Sequence, residues 1–520
     1  MLDSALVDQT FRRLVETFDI RNGGFGDAPK FPTPHKLMFL LQYWKRTGSK
    51  QALAMVVYTL DAMRRGGVYD HVGYGFHRYA TDATWVVPHF EKMLYDQAMM
   101  AMAYVEGYQA TGIASFGNTA REIFSYALEY LAAPGGGFYT AESADTVGEE
   151  GRFYLWSEED LEAALTRNQF EIARTVYNIE ETGNYVDPML GQPNFLNILH
   201  VTRSSGELAA QLGMSPDALE RRLETIRYKL NRVRNERPRP NLDDKILTDW
   251  NGLMIAALAK GARALGSYRY RRKAVQTANF VLREMRTDEG RLLHRYRGGE
   301  AAIQAHVDDY AFLIWGLLEL YETTFRVKFL EEALELQNSM IELYWDSQEG
   351  GFFFTARDAE KLIVRQKEIR DGSYPSGNAV SMYNLLKLGR ITARAEYEEL
   401  AARVGQPESK LVKSRHIQYT HLMSALDFAT GPSYELVIAG NTTSQDTRDM
   451  VKAVHRSYLP HKVLVFRPTE VKTPDIVGLA EYTRNQEDIE GAAAAYVCRD
   501  FVCRAPTTDI LQMIEWLNER

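Results

Sequence analysis

The stretch GGVYDHVGYGFHRYATDATWVVPHFEKMLYDQA, residues 66–98, carries a dense supply of groups able to bind or react. Before Pro88 it strings together Tyr69, Asp70, His71, Tyr74, His77, Arg78, Tyr79 and Trp85. Rings that meet C–H faces, alternating with groups that bind hydroxyls, suit a small sugar-like molecule held by a long loop on a rigid scaffold. Pro88 suits the first position of a helix, where its missing N–H has no intrahelical partner. A helix starting there puts His89 and Glu91 in the first turn, where the dipole keeps Glu91 ionised and His89 neutral. Neutral His89 is then a candidate general base with Glu91 as its supporting carboxylate. Lys92 and Asp96 satisfy each other at i, i+4, and Tyr95 shares the face of Glu91.

Three further helix starts repeat the design. HVDDYAFLIWG brings His306, Asp308 and Asp309, one acid serving as N-cap. NLDDKILTDWNGLM brings Asp244, Lys245, Trp250 and Asn251, and SYPSGNAV brings Asn378. If these starts converge at one rim, His89 with His306 is the candidate acid/base pair of a sugar epimerase or isomerase. Glu91, Asp244, Asp308 and Asp309 are the carboxyl pool a glycoside hydrolase needs. A third reading is a non-catalytic scaffold or sugar-binding domain. The phosphate loop, the nucleophile elbow and the H-E-x-x-H zinc helix are all missing, so neither cofactor nor metal is expected.

The elements that must hold these groups are helices. Segments such as HKLMFLLQYWKRT, TDWNGLMIAALAKGARAL and HVDDYAFLIWGLLELYETTF repeat apolar residues at i, i+3, i+4 and i+7. Glycine-aromatic turns, GGFG at 23–26, GGGFY at 135–139 and GGFFF at 350–354, punctuate them, with the aromatic packing back on the helix just ended. Helical hairpins repeated over residues 1–430 predict a mainly α fold, an (α/α)6 toroid with a pocket at one end of its inner ring. From residue 431 to 520 the runs YELVIAG and HKVLVFRP flank a helical segment, which predicts a small α/β extension packed on the barrel.

Totals narrow the function classes. With 61 Lys plus Arg against 69 Asp plus Glu, the net charge is −8, which argues against nucleic acid or anionic lipid as a partner. No apolar run nears the ~18 residues of a membrane helix and no leader pattern opens the chain, so a cytoplasmic protein is expected. The two cysteines, Cys498 and Cys503, lack zinc-site spacing and read as reduced and structural.

The motifs GGFGDAPKFPTP, GGVYDHVGYGFHRYATDATWVVPHFEKMLYDQA, RPRPNLDDKILTDWNGLM, SYPSGNAV and AYVCRDFVCRAP, in this order, resemble the thioredoxin-domain-containing, spermatogenesis-associated protein 20-like family. The resemblance implies a six-hairpin glycosidase-like body related in fold to N-acylglucosamine 2-epimerases. It also implies an N-terminal thioredoxin-like domain, which would end where this sequence starts, making such a domain a candidate partner. The G-H-x-x-E-W motif that resembles an epimerase active site is absent.

Overall fold

The computed structural model describes residues 2–186, 191, 194–360 and 363–519. The chain begins with α1 (Ala5–Thr17), α2 (Pro34–Thr47), α3 (Lys50–Arg65), α4 (Leu94–Thr111) and α5 (Ala114–Tyr126). An excursion follows, comprising α6 (Glu158–Ala164), α7 (Arg167–Val176), α8 (Ser205–Gln211) and α9 (Pro216–Arg234), with its own small core around Trp156, Phe170 and Ile226. The hairpin pattern resumes with α10 (Thr248–Leu265), α11 (Tyr268–Glu284), α12 (Val307–Thr324), α13 (Val327–Tyr344), α14 (Gly377–Thr392) and α15 (Ala395–Val404). It ends with the short α16 (Ser409–Ser414) and α17 (Thr420–Thr430).

Helices α2, α4, α10, α12, α14 and α17 each pack on the next and α17 returns to α2, so six inner helices close a ring. Five are backed by the helix that follows them, α3, α5, α11, α13 and α15; the sixth, α17, is backed by α1. The (α/α)6 toroid expected from the periodicity is thus observed. Inner helices such as α4, α12 and α14 are buried on nearly all sides, which explains their near-continuous apolar runs. The tightest contact is α10 on α12, where Gly252 and Gly316 face each other. A Cβ on Gly252 would lie 2.5 Å from the Phe312 backbone, so only glycine permits this approach.

The glycine-aromatic turns return the chain from an outer helix towards the next inner one. Phe25 bridges back to Phe18, Phe138 to Ala132 and Phe352 to Trp345, and the Trp345 and Phe352 rings meet edge-on at 4.9 Å. Three of these returns are clamped by an amide from the first turns of the following inner helix. Gln97 accepts from Phe76 N–H at 2.9 Å and donates to its carbonyl at 2.7 Å. Asn251 does the same to Phe138 at 2.8 and 3.0 Å, and Asn378 to Phe352 at 2.7 and 2.9 Å. Asn251 and Asn378, expected to bind substrate, are fully buried with their amides committed to backbone. That is a correction to the sequence reading.

A second correction concerns Pro88. Residues Pro88–His89 pair antiparallel with Tyr79–Ala80, and Lys92–Met93 pair with Ala141–Glu142, which pair in turn with Leu242–Asp243. These ladders hold 88–93 extended and delay α4 to Leu94, overriding the local preference for a helix at Pro88.

After Thr430 the strand Tyr434–Gly440 runs parallel to Lys462–Pro468, across α18 (Gln445–Arg456), and antiparallel to Ala494–Arg499. Two short helices, α19 (Ile476–Leu479) and α20 (Ile510–Leu517), complete this part. Helix α18 rests on α10 and strand Lys462–Pro468 on α14. Cys498 and Cys503 form a disulfide, contrary to the reduced reading. Asp500 and Phe501, both at positive φ, make a two-residue turn that sets the cysteines opposite each other in register, a feature that spacing alone does not reveal. Among the described residues no helix is long and apolar enough to cross a membrane.

Candidate functional site

At the N-terminal end of the inner ring lies a cleft of about 1410 Å³, part of it open solvent. Tyr95 of α4, Trp250 of α10, Asp308 of α12 and Ser376 before α14 all line it, with Arg78, Glu368 and Tyr374 from the intervening loops. The four polar helix starts therefore meet at one mouth. Met93 and Trp250 also border an adjoining space of about 710 Å³ reached by Glu91, Asp243 and Lys245. Three rings form an aromatic wall: Tyr95 lies 4.9 Å from Trp250 and 4.9 Å from Tyr374.

One edge of the mouth is an ionic chain. Arg78 donates to Glu91 at 3.0 Å and to the Tyr95 hydroxyl at 3.2 Å. His89 lies 3.7 Å from Glu91 and 2.7 Å from Glu150, and its ring stacks on Tyr79. The hydrogen bond to His89 and the charge of Arg78 hold Glu91 below the usual carboxylate range against the effect of burial. The same carboxylates raise the pKa of His89. His89 is thus drawn upward, towards its charged form and opposite to the expected direction, because it sits in a strand between two acids and not at a helix N-terminus.

Next to Asp308, but outside the lining of the cleft, Asp309 is fully buried. It accepts from the backbone N–H of His306 at 2.7 Å, from that of Asp249 at 3.0 Å, and from His294 Nδ1 at 2.9 Å. His306 itself is the N-cap of α12, with Asp309 completing a capping box. Burial pulls His294 down, but the Asp309 hydrogen bond and charge outweigh it and bring the imidazole up to about 9. His306, 5.0 Å from the His294 ring and stacked on Phe354, is lowered by burial. Asp308 turns towards the cleft. Burial, with the charges of Asp309 and Glu368, raises it to about 7 despite a 3.0 Å hydrogen bond from Gly377 N–H. Asp249 is likewise pushed up by burial and by Asp309. His294, His306 and Asp309 are also the described set whose ligand atoms, all within 4.8 Å of one another, could hold a divalent cation.

The remaining sequence candidates lie elsewhere. Asp70 is buried, bound to Lys92 Nζ at 2.7 Å and Arg234 at 2.8 Å. Lys92 therefore pairs with Asp70 and not with Asp96, whose buried carboxyl is pushed well up by burial. Tyr69 donates to Glu122 at 2.7 Å, His71 Nε2 lies 3.0 Å from the Gly66 carbonyl and His77 Nδ1 2.9 Å from that of Phe90. Trp85 is fully buried and donates to the Asn22 carbonyl, while Tyr74 lies under Arg227. These groups frame the loop and do not face the cleft. Asp244 pairs with Arg297 at the surface, and Lys245 with Asp243 at the rim. His294, Asp249, Glu150, Glu368 and Tyr374 were not singled out as site residues. His294 sits in a polar hairpin, LLHRYRGG, with no helical or motif signal; Asp249, one residue before Trp250, was within reach of the helix-start argument.

No family model matches the chain. It is 35% identical to spermatogenesis-associated protein 20 of Homo sapiens over 98% of this chain and 69% of that protein. An uncharacterized protein of Caenorhabditis elegans is 30% identical over 97% of this chain and 72% of its own length. Among solved structures, D-mannose isomerase superposes with a TM-score of 0.52 over 82% of this chain and 96% of that one, at 10% identity, a likeness of fold. With the cleft at the mouth of a six-hairpin ring and this extent of identity, the chain belongs to the spermatogenesis-associated protein 20 family.

Proposed function

We propose that the cleft binds a sugar-like small molecule and moves a proton on it, as a sugar epimerase or isomerase does. The observation that carries this reading is Asp308, a carboxyl brought to about 7 inside a cleft walled by Tyr95, Trp250 and Tyr374. Near neutral pH such a group both gives and takes protons, and the aromatic wall suits the C–H face of a sugar ring. His294 and His306, near the α12 start, lie outside the cleft lining and act through Asp309, which neighbours Asp308. An open mouth supports an enzyme over a filled scaffold. His89, clasped by Glu91 and Glu150, becomes a positioning partner of Glu91 in place of the general base.

A glycoside hydrolase is the second reading, favoured by Asp308 and Glu368 lining the same cleft, since a pair of carboxyl groups is its usual equipment. Proton NMR in deuterated buffer with free aldoses reads C2 exchange, and a reducing-sugar assay with glycosides reads hydrolysis. The proposal expects C2 exchange, lowered at least about 100-fold by Asp308→Asn, with an unchanged melting temperature. Full activity in Asp308→Asn refutes the role of Asp308. Reducing-end release without C2 exchange transfers the site to the hydrolase reading.

A further inference from the structure

A chamber of about 810 Å³, part of it open to solvent, lies at the other end of the ring, and all six inner helices line it. Its wall is built from a repeated position. Glu106, Lys260, Glu319 and Lys387 each stand five residues before the last residue of α4, α10, α12 and α14. They alternate in sign around the axis, with Lys260 2.9 Å from Glu106 and 3.6 Å from Glu319, and Lys387 3.1 Å from Glu319. The lid is the C-terminal α/β part: His455, Tyr458, Pro460 and Lys462 cover the chamber.

Two features of this chamber remain unsatisfied. First, four cations, Lys260, Arg263, Lys387 and Lys462, face three carboxylates, Glu106, Glu319 and Glu322. The carboxylates are shared, Glu322 between Arg263 at 3.3 Å and Lys462 at 2.9 Å. The nearby Asp427 is already held by Arg46 and by His461 at 2.8 Å. Second, His421 on α17 is 2% exposed, lines the chamber, and its Nε2 has no hydrogen-bond partner. Burial and Lys260 draw His421 down to about 3, and burial with Arg263 does the same to His455, so neither imidazole adds charge; His455 spends its one N–H on the Glu322 carbonyl at 3.0 Å, which leaves His421 as the imidazole able to donate into the chamber. A surplus of cations over carboxylates beside an imidazole nitrogen without a partner, in a partly open space at the ring's end, calls for a compact anion.

We infer that the chamber binds a small oxyanion, a phosphate or a short carboxylate, between Lys387, Lys260 and His421, and that the bound anion fastens the α/β lid to the ring. This site is independent of the cleft. Equilibrium dialysis of radiolabelled inorganic phosphate against the full chain, at ionic strength fixed with chloride, measures it; succinate competition distinguishes the two sources of oxyanion. One saturable site per chain is expected, weakened at least about tenfold by His421→Phe, which removes the donor, and by Lys387→Met. Circular dichroism confirms that the variants are folded, and His421→Gln, which keeps an N–H donor, retains affinity if Lys387→Met does not fold. Hydrogen exchange in residues 453–462 slows when the site fills. Absence of saturable binding by either anion overturns the inference, as does equal affinity in wild type and His421→Phe.

Discussion

Asp70→Asn separates a residue that frames the loop from one that binds ligand. Asp70 is the single carboxylate between two buried cations, with Lys92 at 2.7 Å and Arg234 at 2.8 Å, and Asp70 and Arg234 join the 66–98 loop to α9 of the excursion. Burial pushes Asp70 up, and the charges of Arg234 and Lys92 more than reverse it, holding the carboxyl well below the usual range. Its contribution is therefore fully present at neutral pH and is lost only as pH falls below the unfolded carboxylate range. Asparagine keeps the shape and removes the charge. Lys92, already drawn to about 8 by burial, can shed its proton, but Arg234 cannot. Removing one partner of a buried ion set costs about 3–5 kcal/mol. Unfolding entropy of about 2.1 cal/mol/K per residue gives about 1.1 kcal/mol/K for this chain, so the melting temperature should fall by about 3–5 °C. Thermal melts of wild type, Asp70→Asn, Lys92→Met and the double variant measure this, the double losing less than the sum of the singles because the partners share one interaction. A melt within about 1 °C of wild type, accompanied by lost ligand binding, refutes the framing role.

The amide clamps and the imidazole pair give two more tests. Asn378→Ala strips both backbone partners from Phe352, and each buried group left unpaired costs about 1–3 kcal/mol, so melts should drop by about 2–5 °C on the same entropy scale. Gln97→Ala should behave alike, and a drop confined to one of the two argues against an equivalent repeat. His294, raised by Asp309, stabilises the fold fully below its unfolded value near 6.5, and this stability is lost as pH climbs towards about 9. Between pH 6 and 9 wild type should therefore lose more melting temperature than His294→Gln, and parallel curves contradict the His294–Asp309 pair.

The ring was legible because its signals are local. Apolar spacing within each helix and glycine-aromatic turns between helices need no distant partner, and the polar starts at Tyr95, Trp250 and Asp308 marked the cleft for the same reason. What failed depends on pairing across the chain. Pro88 is extended because its segment and the next pair with strands at 79–80, 141–142 and 242–243. Lys92 turns to Asp70 for the same cause, and the cysteines meet through a turn whose register their spacing does not show. Asn251 and Asn378 look like recognition groups until their backbone partners are known. The alternating charges at Glu106, Lys260, Glu319 and Lys387 stand at a fixed distance from their helix ends, and become visible only once the helices are aligned as repeats.

Closure of the ring through α1 and α17 has a consequence for biosynthesis. Five hairpins can form as each emerges from the ribosome, but the sixth joins segments about 400 residues apart, so although α1 can rest on α2, its face towards α17 must wait uncovered until α17 is made. The apolar residues of α1, Leu6, Val7 and Leu14, then share with α2 the wait for a late partner, and closing the circle is the non-local step that completes the ring.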